Sequence, residues 1–202
     1  IKKDWNGNTD RDRVLLSKKA VPLVRRVQGQ ASGADVAASI FGGVLFYQKR
    51  LVIIDKLANS LPLTVVYSGK KIATLEVLKQ VDERAKQMSE TFKDLYVTMA
   101  ACSAEACIAA EERDRKTLGE LINVYHGLLD ALGVSNAILS ELVYALRSDK
   151  NVYGAKISGA GMGDCVIALG ESSITFPQNK AQEEMGVRTV ATKVDSKGLI
   201  FS

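Results

Sequence analysis

A chain of 202 residues with about 47% hydrophobic content has the material for one large domain or two small ones with a proper core. Its net charge of +4 comes from scattered basic residues rather than an aromatic-laced stripe, so nucleic acid is excluded as the expected partner. No run reaches the roughly 20 consecutive apolar residues of a membrane span, and three cysteines with a single histidine argue against a disulfide framework or a zinc site. The cysteines are expected as buried thiols in a reducing cytoplasm. The first residue is Ile1 rather than Met, and no apolar stretch follows Lys2-Lys3, so no secretory signal is expected.

Residues 1–13 are polar and turn-rich and read as a loop. Residues 14–27 carry Val14, Leu15, Val21, Val24 and Val27 at helical spacing, with Pro22 disturbing the middle. A loop over 28–35 leads into the small residues 36–41, and Gly42-Gly43 breaks them. Val44 to Tyr47 and Leu51 to Ile54 read as a hairpin around Lys49-Arg50. Leu63 to Tyr67 is a strand by its β-branched content, and Thr74 opens a long helix. Three more helical pieces follow to about 149, the last capped by Ser135. His126, on the middle piece, is expected to be partly buried and hydrogen-bonded. Strands return at 155–157 and 165–169, then a short helix near 178–185 and strands at 187–194 and 199–201. The order is that of an α+β layer, with helices on one face of an antiparallel sheet.

The chemistry concentrates in Lys156-Ile157-Ser158-Gly159-Ala160-Gly161-Met162-Gly163-Asp164-Cys165. Alternate glycines permit a sharp backbone whose N–H groups converge on an anion, and Lys156 offers a cation at its mouth. The spacing is Gly-x-Gly-x-Gly and a strand follows, so neither a dinucleotide fingerprint nor a Walker loop fits. A tight hairpin without ligand remains the alternative. The second constellation is Ser32-Gly33-Ala34-Asp35. Asp35 is either a base for a substrate hydroxyl or the N-cap of the next helix.

Together these motifs resemble the GHMP small-molecule kinases, named for galactokinase, homoserine kinase, mevalonate kinase and phosphomevalonate kinase. The run 156–165 is similar to that family's Lys-x-Ser/Thr-Gly-Ala-Gly-x-Gly-Gly-Cys, with Asp164 in place of the last glycine. Leu132-Gly133-Val134-Ser135, and Leu61-Pro62-Leu63 leading to Thr74, resemble its mevalonate kinase branch. The Gln28-Gly29 pair and Asp35-Val36-Ala37 are closer to phosphomevalonate kinases, which leaves the acceptor open.

The resemblance implies a ferredoxin-like C-terminal domain over 56–202 and a remnant of the N-terminal kinase domain over 1–55. It implies ATP and Mg2+ as cofactors, and phosphoryl transfer to a small-molecule hydroxyl, with mevalonate the foremost acceptor. A phosphomevalonate or sugar kinase and a non-catalytic metabolite-binding relative are the alternatives. It makes Asp35 the catalytic carboxylate and Ser32 and Gly33 the shapers of the acceptor loop. Lys156, Ser158, Gly159, Ala160, Gly161 and Gly163 would bind the transferred phosphoryl group. Thr74 would contact anionic substrate, or simply cap its helix.

The family's Gly-Leu-Gly-Ser-Ser-Ala phosphate loop does not occur here, and it is expected upstream of residue 1. Val24 stands where mevalonate kinases carry a glutamate similar to a magnesium ligand, so the metal ligands stay unassigned. Residues 1–202 alone are therefore expected to be nearly inactive, and the apolar residues of 14–27 to need a cover, which favours association, including homodimers.

Overall fold

The computed structural model describes residues 9–29, 32–49 and 53–200. They form two compact units, one from the residues up to Leu61 together with those from Val194 onward, the other from Pro62 to Lys193.

In the first unit, helix α1 spans Asp10–Gln28. It begins earlier than the hydrophobic spacing indicated, because Thr9 accepts from the Asp12 N–H and Asp10 and Asp12 face the positive helix end. Pro22 does not break it. That residue is exposed, so water can serve the carbonyl left without an N–H. Leu23 and Val27 on the same helix are also exposed, at 59% and 87%. Helix α2, Ala34–Phe41, buries Ala37, Ile40 and Phe41. Strands β1 (Val44–Gln48) and β2 (Ile53–Ala58) pair antiparallel, Tyr47 opposite Ile54. The second strand lies further along than 51–54, and Leu51 and Val52 fall outside the described residues. The segment after Val194 returns to α2. Gly43 donates to the Asp195 carbonyl and Leu199 to that of Ile40. A Cβ on Gly42 would meet the Gly198 nitrogen at 2.3 Å, so both positions need glycine. Leu199 and Ile200 are thus a seated loop rather than the expected strand, and Phe201 lies outside the described residues.

The second unit follows the expected order: β3 (Leu63–Tyr67), α3 (Thr74–Gln87), α4 (Ser89–Glu111), α5 (Arg115–Ala131), α6 (Ala137–Arg147), β4 (Val152–Ile157), β5 (Cys165–Gly170), α7 (Lys180–Met185) and β6 (Arg188–Val190). The sheet runs β4-β5-β3-β6 with every pair antiparallel. Its helix-facing residues Val66, Ala155, Ile157, Val166 and Ala168 pack on Leu139, Leu142, Val143 and Leu146 of α6 and on Leu129 of α5. Fully buried leucines of this kind contribute about 1.5–3 kcal/mol each.

Strand β4 is a sheet edge, and α5 and α6 shield it. A Cβ on Gly119 would come within 2.3 Å of the Tyr153 carbonyl oxygen, and one on Gly154 within 2.0 Å of the Gly119 oxygen. The edge groups of Ala155 are satisfied by side chains. Asn123 Oδ1 accepts its N–H at 3.0 Å, and Arg147 donates to its carbonyl at 2.8 Å and 3.2 Å. An edge closed this way cannot recruit a further strand.

Two expectations need correction here. Asn136, not Ser135, caps α6, its Oδ1 accepting from Leu139 N at 3.0 Å, while Ser135 pairs its hydroxyl with that of Ser140. His126 is 5% exposed, but its Nδ1 has no hydrogen-bond partner among the described residues. Cys102 is buried, Cys107 and Cys165 are half-buried, and all three are free thiols whose pKa burial pushes up.

Candidate functional site

The glycine loop joins β4 to β5 and is closed at its base by Ser158 N–H donating to the Cys165 carbonyl at 2.9 Å. Gly159, Gly161, Met162 and Asp164 all hold φ between 62° and 90°. Left-handed backbone is unfavourable for most side chains, and its concentration in one loop marks a shape held by its surroundings.

Two neighbouring segments hold it. On one side is the turn between α5 and α6, where Met162 donates to the Val134 carbonyl at 2.7 Å and Asn136 Nδ2 donates to the Met162 carbonyl at 2.9 Å. A Cβ on Gly161 would strike the Val134 oxygen at 2.3 Å. On the other side is the stretch from β3 to α3. Asp164 donates to the Lys70 carbonyl at 2.6 Å and Ser68 to the Asp164 carbonyl at 2.8 Å, and Gly163 packs against Lys70. The Leu132 to Asn136 turn and the approach to Thr74 thus meet the glycine loop in space.

What the loop leaves open is informative. The N–H groups of Gly159, Ala160, Gly161 and Gly163 donate to no acceptor among the described residues. A Cβ on Gly159 would meet nothing within 4 Å, so this side is open to an incoming group. Two of these four, Gly159 and Gly161, are left-handed, and free backbone amides in such a loop are suited to an anion. Ala160 packs against the core and anchors the middle of the loop.

Lys156 corrects a detail of the sequence reading. Its ammonium donates to the Ile157 carbonyl at 3.0 Å and lies 5.5 Å from the Tyr125 ring centre. Burial lowers its pKa. It is an engaged, half-buried cation, not a free one at the loop's mouth. Lys71 carries the charge that sequence reasoning passed over. Its Nζ is 3.8 Å from Asp164 Oδ2, and the two side chains are 73% and 49% exposed. The only sequence signal for it was its place three residues before Thr74. Thr74 is the first residue of the fourteen-residue helix α3. The cap position belongs to Ala73, so Thr74 does not serve as N-cap, and its exposed hydroxyl makes no hydrogen bond among the described residues.

Asp35 belongs to the other unit. It stands in the first turn of α2, where an acidic side chain complements the helix dipole, but the N-cap is Gly33. The capping alternative is therefore set aside. The Asp35 carboxylate is exposed and accepts no hydrogen bond among the described residues. Gly33 has φ 92°, and a Cβ there would meet Tyr47 Oη at 2.6 Å and Val21 Cγ2 at 2.7 Å. Tyr47 donates to the Ser32 carbonyl at 2.9 Å, and Ser32 Oγ accepts from Ala34 at 3.2 Å. These contacts fix the loop that presents the aspartate.

Among the described residues no three His, Cys, Asp or Glu side chains converge to hold a metal ion.

Residues 104–186 match the family model "GHMP kinases C terminal". The chain is 36% identical over 187 residues to a mevalonate kinase of Thermococcus sibiricus, covering 86% of this chain and 53% of that protein. It is 40% identical over 152 residues to one of Pyrococcus abyssi, covering 71% and 44%. The chain thus spans about half the length of the curated relatives it matches. Among solved structures, L. major mevalonate kinase in complex with R-mevalonate superposes with a TM-score of 0.65 at 29% identity, covering 77% of this chain and 47% of that one. With its antiparallel sheet, its helices on one face and its glycine loop between β4 and β5, the chain belongs to the GHMP kinase family and carries that family's C-terminal domain.

Proposed function

We propose that the protein transfers the terminal phosphoryl group of ATP to a small-molecule hydroxyl, with mevalonate as the acceptor. The observation that carries this reading is the glycine loop with four unpaired N–H groups, in a chain whose curated relatives bear the name mevalonate kinase. In the reaction the acceptor oxygen bonds to the γ-phosphorus. The bond from that phosphorus to the β–γ bridging oxygen breaks, ADP leaves, and the hydroxyl proton passes to the Asp35 carboxylate. The amides of Gly159, Ala160, Gly161 and Gly163 stabilise charge on the phosphoryl oxygens, with the Ser158 and Thr74 hydroxyls as further donors. Ser32 and Gly33 shape the acceptor side. Lys156 acts through the loop, steadying its base from Ile157.

Magnesium would enter with the nucleotide, as is usual for an ion that keeps its waters, and no step is assigned to residues of this chain through it. We place the enzyme in the cytoplasm, where its nucleotide is available. No helix of the described residues is long and apolar enough to cross a membrane. Residues 1–202 alone should turn over little, since they lack the family's other phosphate loop.

ADP release by the full-length protein with ATP and mevalonate tests the assignment. Asp35→Asn should lower kcat by about 10²–10⁴-fold and leave mevalonate affinity nearly unchanged. A full-length protein that binds mevalonate without turnover would be a metabolite sensor, and the kinase assignment would be abandoned. Robust turnover by residues 1–202 alone would refute the role given to the missing loop.

A further inference from the structure

We propose that Lys71 is the phosphate-facing cation of the glycine loop, and that Asp164 is its resting partner, an internal anion that a polyphosphate must displace. The inference rests on the phosphoryl-binding reading of the loop and adds a residue and a selectivity to it.

The loop offers four amides with no acceptor among the described residues, while its one cation, Lys156, is engaged with Ile157 and Tyr125. Lys71 reaches the loop directly, through its ion pair with Asp164. The backbone on either side of the Lys71–Asp164 pair is fixed. Asp164 is tied to Lys70 and Ser68 by main-chain hydrogen bonds, and Gly69 is held where a Cβ would overlap the Met185 carbonyl at 1.9 Å. Only the side chains are free to move.

The pair itself is loose. At 3.8 Å and with both partners well exposed, water screens it, so exchanging one anion for another costs little. A phosphoryl group with two or more charges competes for Lys71 far better than a monoanion does. Asp164 meanwhile occupies a left-handed position, φ 67°, where glycine would be easier. A carboxylate there also disfavours any anion at the free amides unless Lys71 neutralises it. The pair thus acts as a threshold. Small monoanions leave it closed, and a polyphosphate opens it.

Inorganic tripolyphosphate without divalent cations is the probe, with calorimetry and the NMR amide shifts of Gly159, Ala160, Gly161 and Gly163 as readouts on residues 1–202. The wild-type chain should bind it, with those amides shifting. Lys71→Met should weaken binding at least about tenfold, and Lys71→Arg should restore most of it. Asp164→Asn keeps a residue tolerated at positive φ and should bind more tightly than wild type. The Lys71→Met penalty should shrink in the Asp164→Asn background, a coupling that a purely structural role would not produce. If wild type binds and Lys71→Met binds equally well, or Asp164→Asn weakens binding, the inference is wrong while the loop assignment survives. If the wild-type amides do not shift at all, both fall.

Discussion

Gly119 of α5 and Gly154 of β4 meet backbone to backbone: a Cβ on Gly154 would lie 2.0 Å from the Gly119 carbonyl oxygen. Helices rarely approach a strand this closely, and here the approach brings Asn123 and Arg147 onto the edge groups of Ala155. Gly154→Ala should therefore cost more than a surface substitution, about 1–3 kcal/mol from forced separation. Loss of the Asn123 and Arg147 contacts would add to it. Urea unfolding of the variant checks this, and an unchanged midpoint would contradict the close packing.

Within the glycine loop, two glycines should respond differently to alanine. Gly161 has both a positive φ of 90° and the Val134 oxygen in the way, so Gly161→Ala should disrupt the loop and lower Tm. Gly159 has a positive φ of 76° but open space, so Gly159→Ala should cost only the backbone penalty of about 1–2 kcal/mol. Its effect should appear in phosphate binding, because the new methyl occupies the open approach. Paired melting curves and tripolyphosphate titrations separate the two.

His126 predicts a pH dependence. Burial first, then the nearby positive charge of Arg147, lowers its pKa below 6.5, with Lys156 adding to the effect and Asp130 opposing it. The unfolded chain therefore binds the proton more readily than the folded one. Stability from neutral His126 is complete above the unfolded pKa of 6.5 and declines as pH falls below it toward the folded value. Denaturant midpoints should drop as pH falls below 6.5, and His126→Leu should flatten that slope. A variant with the wild-type slope would assign the dependence elsewhere.

Asp149 supplies a second, lower window. Its carboxylate accepts from Asn151 N–H at 2.9 Å, from the Ser172 hydroxyl at 2.8 Å and from both the backbone and the hydroxyl of Ser173. These bonds to the charged form hold its pKa well below the usual carboxylate range. The folded value is depressed, so its contribution is present above 3.8 and is lost as pH falls through the acid range. Asp149→Asn should lower Tm at neutral pH more than Asp130→Asn does, and should remove part of the acid sensitivity. Equal effects of the two variants would argue against the four-bond hub.

Much of the second unit was legible in the residues. Periodicity located its helices, β-branched content located β3 and the apolar run after the glycine loop located β5, because buried faces leave a regular trace. Capping was harder to read. Ser135 and Asn136 are both good caps, and only the Leu139 N–H on Asn136 Oδ1 shows which is used. Pro22 looked disruptive because sequence does not show that its face is exposed. The glycine loop announced itself, yet Lys71 did not. Its significance depends on Asp164 lying beside Lys70 across a long sequence gap, a tertiary contact that no local pattern encodes. For Lys156, nothing local reveals that the Tyr125 ring lies 5.5 Å from its ammonium.

The seat of Gly198 on Gly42 also bears on how the molecule is made. During synthesis α2 leaves the ribosome long before the stretch from Asp195 to Leu199 that fastens to it. Every residue from Pro62 to Lys193 emerges in between, enough to complete an independent sheet and its helices. Helix α2, with Asp35 in its first turn, therefore waits for its latch. A chain released before Val194 would have a complete second unit attached to an unlatched first one, a natural target for quality control.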